Sequence, residues 1–130
     1  MSRKTDALAK LQRLAQLKSD LEMRRFSAYR AHVVEARDQI GRIEQDLERI
    51  YQSPSAFSLE EARLANALAG ERCRALLRAE TDLQQMLPGF ELARKTAIRE
   101  FGRVEVLKSI RRDLIELEHK NSDKKQNDAT

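Results

Sequence analysis

Apolar residues alternate at spacings of three and four through the second quarter of this 130-residue chain. The run consists of Phe26, Tyr29, Val33, Ala36, Ile40, Ile43, Leu47 and Ile50. A heptad pattern sustained this long indicates an α-helix whose apolar stripe, here called the seam, packs against another helix as a coiled coil. The composition agrees with this interpretation, because 35% of the residues are charged and only 5% are aromatic.

The apolar pattern changes on the N-terminal side of Phe26. Leucines recur there at Leu8, Leu11, Leu14, Leu17 and Leu21. The set is out of phase with Phe26, so it predicts a phase slip between Leu21 and Arg25 that resembles a stutter in a coiled coil. Leucines spaced at strict threes also spread around a helix and give it a broad apolar face.

A bend is predicted between two long helical patterns, at residues 52–58. Pro54 disfavours helical backbone at the residue before it, so the first helix should end near residue 51. Ser58 and Glu61 have the spacing of a capping box, and Phe57 occupies the position that begins a hydrophobic staple. The sequence therefore predicts an all-α fold, a long antiparallel helical hairpin with helices over about 5–51 and about 59–118. The polar tail, 121–130, is expected to be disordered.

The second helical pattern contains a Pro88-Gly89 interruption. One interpretation is a kink in a single long helix, and the other is a turn that produces a three-helix bundle. The seam keeps its phase across the interruption, which favours the kink. Further along, the apolar spacing predicts a shift of the seam to Val104, Leu107, Ile110, Leu114 and Leu117.

The net charge of +4 is unevenly distributed along the chain. Residues 1–30 carry 8 Lys and Arg against 3 Asp and Glu, and residues 94–112 carry 7 against 2. With a bend at 52–57, facing residues have numbers that sum to about 109, so residues 1–15 should lie beside 94–108. The open end of the hairpin is then basic and predicts an acidic partner. The alternative is that these charges only solvate a coiled coil.

Catalytic and ligand-binding motifs are absent from the sequence. The chain has no phosphate-binding loop and no nucleophile–base pair, so we expect no enzyme activity, no cofactor and no metal. The single cysteine, Cys73, cannot form an internal disulfide, and no apolar run is long enough for a membrane span, so a cytoplasmic location is expected. The basic residues of the second helix are a weaker indication of nucleic-acid binding, because Glu100 and Glu105 interrupt them.

Apolar residues outside the seam are the strongest functional indication. Ile98, Phe101, Val106 and Ile115 exceed what a two-stranded seam can bury. A surplus of this kind predicts a protein partner or a self-associated bundle. Alternatively, a turn at Pro88 would fold the last segment back over the surplus.

The architecture resembles the small stalk proteins of flagellar and type III secretion export systems, the FliJ/YscO-like family. The resemblance rests on the segment 8–15 (LAKLQRLA), on Met23-Arg24-Arg25 and on the bend before Ser58-Leu59-Glu60-Glu61. It implies a hairpin similar to the central shaft of rotary ATPases. Such a hairpin would sit in a hexameric export ATPase and link that ATPase to the export gate, close to the inner membrane. The alternatives are a generic self-associating scaffold, as a homodimer, and a helical nucleic-acid binder. The residues predicted to bind a partner are Arg99, Arg103, Arg111, Ile98, Phe101 and Phe57.

Overall fold

The computed structural model describes residues 2–53 and 58–129. Two helices account for nearly all of them, α1 (Arg3–Gln52) and α2 (Leu59–Ala129). They pack against each other, so the predicted all-α helical hairpin is confirmed.

Serine side chains cap the N-termini of both helices. The backbone N–H of Thr5 donates to Ser2 Oγ at 3.2 Å, and the N–H of Asp6 donates to the Ser2 carbonyl at 3.1 Å. At α2, the N–H of Glu61 donates to Ser58 Oγ at 3.1 Å, which confirms the predicted cap. Pro54 and Phe57 lie outside the described residues.

The helix α2 continues through Pro88, so the turn that would have made a three-helix bundle is not formed. Seam residues on both sides of the proline, Met86 and Phe90, remain half-buried, and this packing offsets the hydrogen bond that proline cannot donate. Gly89 lies close to Tyr29, because a Cβ atom at position 89 would sit 3.1 Å from Tyr29 Cε1. The two helices therefore approach each other closely at Gly89, which has no side chain.

The C-terminal end of α2 differs from the expectation. The helix α2 continues to Ala129, beyond the end expected near residue 118, and residues 121–129 are exposed. No Gly or Pro follows Gly102 to end the helix. The segment is exposed because α1 begins at Arg3 and its third residue, Thr5, already lies opposite Glu118.

The chain divides into two compact units. The terminal unit combines Met1–Phe26 with Ala93–Thr130, and the central unit is Ser27–Leu92. The terminal unit carries 17 Lys and Arg against 10 Asp and Glu, a net charge of +7. The central unit carries 8 against 11, a net charge of −3. The predicted concentration of positive charge near the termini therefore persists when the charge is counted by structural unit.

The central unit has an apolar interior. Its fully buried residues are Val33, Ile43 and Ala69. An ion pair between Arg72 Nη1 and Asp46 Oδ2, at 3.7 Å, joins the two helices beside this interior. The seam predicted for the segment from Phe26 to Ile50 is the face that α1 buries here.

The pairing of the helices is shifted from the predicted register. In the terminal unit, Thr5 Oγ1 donates to Glu118 Oε2 at 3.0 Å, and Arg111 Nη1 lies 3.5 Å from Gln12 Oε1. The prediction that residues 1–15 lie beside 94–108 is wrong for Thr5 and Gln12, because their partners are residues 118 and 111 rather than 104 and 97, about four helical turns further along α2. Seam packing fixes the register, and the bend does not, so the first turns of α2 extend beyond the end of α1.

The predicted phase slip in α1 is also wrong. The spacing of three and four continues without a break from Phe26 toward the N-terminus, and the inward-facing positions are Glu22, Ser19, Ala15, Gln12, Leu8 and Thr5. In α2 the seam likewise continues through Glu100, Val104, Leu107, Arg111, Leu114 and Glu118. Ile110 and Leu117, predicted as seam residues, are exposed. Polar residues hold several of these positions, so the apolar pattern did not reveal them.

We predict opposite responses to alanine at two helical glycines. A Cβ atom at Gly41 meets nothing within 4 Å, so Gly41→Ala should raise the free energy of unfolding by about 1 kcal/mol through helix propensity alone. Gly89→Ala gains the same propensity but must displace the Tyr29 ring, so it should stabilise less or destabilise. Urea unfolding followed by far-UV circular dichroism measures both. Equal stabilisation by the two substitutions would contradict the close approach at Gly89.

Candidate protein-binding surface

The terminal unit buries polar residues and exposes leucines. Among the described residues of this unit six are buried, and four of these are polar, namely Thr5, Ser19, Glu22 and Glu100, whereas two are apolar, namely Ala97 and Val104. The leucines of α1 lie on the outside, where Leu14 is 64% exposed and Leu17 is 66% exposed. Leu11 and Leu21 are exposed on the same helix, and these four leucines are called the leucine face. The broad apolar face predicted from leucines at threes is therefore present and is exposed on α1.

The helix α2 adds further exposed apolar side chains to the terminal unit. They are Ile98, Phe101, Val106, Ile110, Ile115 and Leu117. Burial of one such side chain is worth about 1.5–3 kcal/mol relative to exposure. Exposed apolar side chains usually mark an interaction site where they lie together, as Val106 does with Leu11 and Leu14 of α1.

Part of this surface forms a groove between the two helices. The groove encloses about 690 Å³. Its lining residues are Leu11, Leu14, Ala15 and Lys18 of α1 with Arg99, Glu100, Gly102, Arg103, Val106 and Leu107 of α2. We call it the apolar groove, because leucine, valine and alanine side chains form most of its wall.

A buried carboxylate collects cations at one end of the apolar groove. Glu100 is 2% exposed, and its Oε1 lies 3.2 Å from Arg103 Nη1, 3.5 Å from Arg99 Nε and 3.6 Å from Lys18 Nζ. The three cations themselves are more than half exposed. A carboxylate removed from water is costly unless opposite charges surround it, and here three do. The cluster has a net positive charge and presents that charge to solvent.

The predicted partner-binding residues divide into three groups. Arg99 and Arg103 meet at the apolar groove, whereas Ile98 and Phe101 are exposed but do not line it. Arg111 is a half-buried seam residue, and its Nε atom is buried without a hydrogen-bond partner among the described residues. The predicted role of Arg111 in partner binding stays a prediction. Phe57 falls outside the part of the chain that the structure describes.

Several residues of the groove were missed from the sequence. Lys18 and Gly102 did not stand out as groove residues, because neither belongs to a motif. The signal that would have found them is the spacing of three and four, followed back from Phe26 without regard to polarity. That spacing places Ser19 and Glu22 inside and therefore places the leucines outside.

The central unit has a groove of similar size and different chemistry. It encloses about 710 Å³ and forms where small residues, Ala36, Ala75 and Ala79, leave space between the helices. Charged residues of both signs line it, and some of them pair with each other, as Arg42 Nη2 does with Glu35 Oε1 at 3.0 Å. This groove therefore has neither the apolar wall nor the excess of positive charge that lines the groove of the terminal unit.

The described ranges 2–53 and 58–129 offer little other candidate chemistry. No cluster of three or more His, Cys, Asp and Glu side chains there could hold a metal ion. The Cys73 thiol is free and exposed. Neither described helix has a stretch long and apolar enough to cross a bilayer.

Comparison with known proteins adds nothing to these observations. The chain matches no family model, no curated protein and no solved structure.

A hydroxyl pair joins the start of α1 to α2. Ser2 Oγ and Thr5 Oγ1 lie 2.8 Å apart, and Thr5 Oγ1 donates to Glu118 Oε2 at 3.0 Å. Hydrogen bonds from Ser2 and then Thr5, with the charge of Lys4, lower the pKa of Glu118 below its ordinary value of 4.5, against the raising effect of desolvation. The carboxylate form is therefore favoured when the helices are paired.

We predict an acid-dependent loss of pairing at Glu118. Because the folded pKa is depressed, the stabilising effect of this carboxylate is complete above the unfolded value of 4.5 and is lost as pH falls through the folded pKa. Glu118→Gln should remove this part of the pH dependence of thermal unfolding, whereas Glu116→Gln, in the same turn, should retain it. An NMR titration in which the Glu118 carboxyl shows a pKa at or above 4.5 would contradict the prediction.

Proposed function

We propose that this chain is a non-enzymatic coiled-coil component of a flagellar or type III protein-export apparatus, and that its terminal unit binds the hexameric export ATPase and the export gate. The observation that supports the proposal is the inverted distribution in the terminal unit, where polar residues are buried and leucines are exposed. The resemblance to export stalk proteins supplies the identity of the partners.

Energetics favour a protein partner for the terminal unit. Buried seam positions of this unit hold polar residues, whereas equivalent positions of the central unit hold Val33 and Ile43. Apolar burial therefore contributes less free energy to the folding of the terminal unit. The leucine face would contribute that missing burial only when another surface covers it. A protein that binds this folded form would stabilise it by mass action.

The charge of the terminal unit favours an acidic partner surface. Its net charge of +7 attracts anionic surfaces and accelerates association at low salt. The exposed cations Lys18, Arg99 and Arg103 lie beside apolar side chains, as in many protein interfaces with an apolar centre and a polar rim. An acidic, apolar-lined opening in an ATPase ring has matching chemistry.

Self-association is the second candidate function. Phe101 and Ile98 are both more than half exposed and lie outside the apolar groove. Two copies of the chain could cover these residues against each other, which would make the protein a self-associating scaffold.

We predict that the export ATPase requires the leucine face. A double substitution, Leu14→Glu with Leu17→Glu, changes residues that are already exposed, so helicity and the thermal midpoint should stay nearly constant. Retention of the purified hexameric ATPase from the same organism on the immobilised full-length chain should fall at least tenfold. The matched control is the double substitution Leu64→Glu with Leu77→Glu in the central unit, where these residues are 62% and 64% exposed. If the double variant retains the ATPase as well as the native chain does, the terminal unit is not its binding element.

The scaffold alternative predicts a concentration-dependent dimer. Sedimentation equilibrium of the full chain should then show dimer at high concentration, and Phe101→Asp should return it to monomer by placing a charge in the apolar contact. A monomer at every concentration tested would remove this candidate and leave the leucine face available to another protein.

A further inference from the structure

We propose that the apolar groove of the terminal unit binds two turns of an amphipathic helix from a partner protein, with carboxylates flanking the apolar stripe of that helix. This inference rests on the proposed function in one respect, namely that the partner is a protein. It adds the secondary structure, length and charge of the segment that is bound.

The dimensions of the apolar groove set the length of the bound segment. Its lining runs from Leu11 to Lys18 on α1 and from Arg99 to Leu107 on α2. At 1.5 Å per residue these stretches are about 10–12 Å long, which is two helical turns or about seven residues. A helix laid in the groove therefore presents side chains at positions i, i+3 or i+4, and i+7.

The wall of the groove selects apolar side chains. Leu11 and Leu14 form one side, and Val106 with Leu107 forms the other. Leu14 and Val106 are both more than half exposed, so a helix seated between them would bury surface that now contacts water. A nucleic-acid backbone would place phosphates against this apolar wall and gain nothing from it, so the groove favours a peptide over nucleic acid.

Gly102 provides an independent indication of a close approach. Glycine inside a helix costs about 1 kcal/mol relative to alanine. Packing within this chain does not require it, because a Cβ atom at position 102 would meet nothing within 4 Å. Gly102 nevertheless lines the groove, where a missing side chain lets the backbone of a bound helix come nearer.

The charges beside the groove determine which charged residues can flank the apolar stripe of the bound helix. Lys18, Arg99 and Arg103 share the single buried carboxylate of Glu100, so the cluster keeps an excess of positive charge at its solvent-exposed ends. Glutamate or aspartate beside the apolar stripe of a bound helix would pair with these cations. A helix with basic flanks would be repelled.

The test is a selection from a display library of 18-residue helical peptides randomised on one face, with the full-length chain as bait. We expect the selected peptides to have apolar residues at i, i+3 or i+4, and i+7, with Asp or Glu beside them. Fluorescence anisotropy of the labelled peptides then gives Kd for each variant of the chain. Lys18→Gln should weaken binding several-fold and reduce its dependence on salt.

Gly102→Leu is the decisive variant, and Gly41→Leu is its matched control. Both glycines are half-buried, both have open space at the Cβ position, and both substitutions improve helix propensity. Each variant should therefore be at least as stable as the native chain. Only Gly102→Leu fills the groove, so it should raise the Kd of the selected peptides at least tenfold, and Gly41→Leu should leave it unchanged.

Three outcomes would overturn the inference. Selected peptides could lack acidic flanks, or they could bind Gly102→Leu as tightly as the native chain. Alternatively, a labelled oligonucleotide could bind the native chain more tightly than the peptides do and lose that binding in Gly102→Leu, which would assign the groove to nucleic acid.

Failure of this inference is distinguishable from failure of the proposed function. If the leucine-face double variant loses the export ATPase but Gly102→Leu retains it, the export role stands and the groove is not the contact. If acidic peptides bind the groove but the native chain retains no export ATPase, the groove stands and the export role fails.

Discussion

Every other feature of this hairpin depends on the unbroken spacing of three and four along each seam. In the central unit the seam is apolar, and burial of Val33 and Ile43 fixes which side of α1 faces α2. A helix cannot change its inward face without a stutter or a break, so the same phase carries into the terminal unit. There it brings Ser19 and Glu22 inside, although leucines lie on the neighbouring positions. The seam phase that buries apolar residues in the central unit thus leaves the leucines of the terminal unit exposed.

The polar seam of the terminal unit buries fewer apolar side chains and instead forms specific hydrogen bonds and ion pairs between the helices. Thr5 pairs with Glu118 across the seam, and Glu100 draws Lys18 from the opposite helix. Such contacts contribute less net free energy than close-packed leucines, because each replaces hydrogen bonds to water. They do, however, discriminate between registers, since a shift of one helix along the other would separate Lys18 from Glu100 and Thr5 from Glu118. The terminal unit is therefore well specified in pairing but has much of its apolar surface uncovered.

Local signals in the sequence were sufficient to predict the hairpin and its helix boundaries near the bend. The cap at Ser58 and the phase across Pro88 depend on residues close together in the chain, and both were predicted from them. The register, the buried Arg111 and the apolar groove depend on which residues of two distant segments meet. Apolar periodicity gave a wrong answer there, because Ile110 and Leu117 fit an apolar stripe better than the true seam residues Arg111 and Glu118 do. The stripe of α2 that packs against α1 can be told from the stripe that stays exposed only when the positions of both helices are known.

Two helical glycines, Gly89 and Gly102, differ in whether packing within the chain explains the missing side chain. At Gly89 the neighbouring Tyr29 ring explains the absence of a side chain, so the glycine belongs to the packing of the hairpin. At Gly102 no atom of this chain occupies the space, although the position lies in the wall of an apolar groove beside three cations. The loss of helix propensity is similar at both positions, but only the first is offset by a contact within the chain. The compensation at Gly102 must come from outside the chain if it comes from packing at all, and a bound helix is the ligand whose shape and charge fit that space.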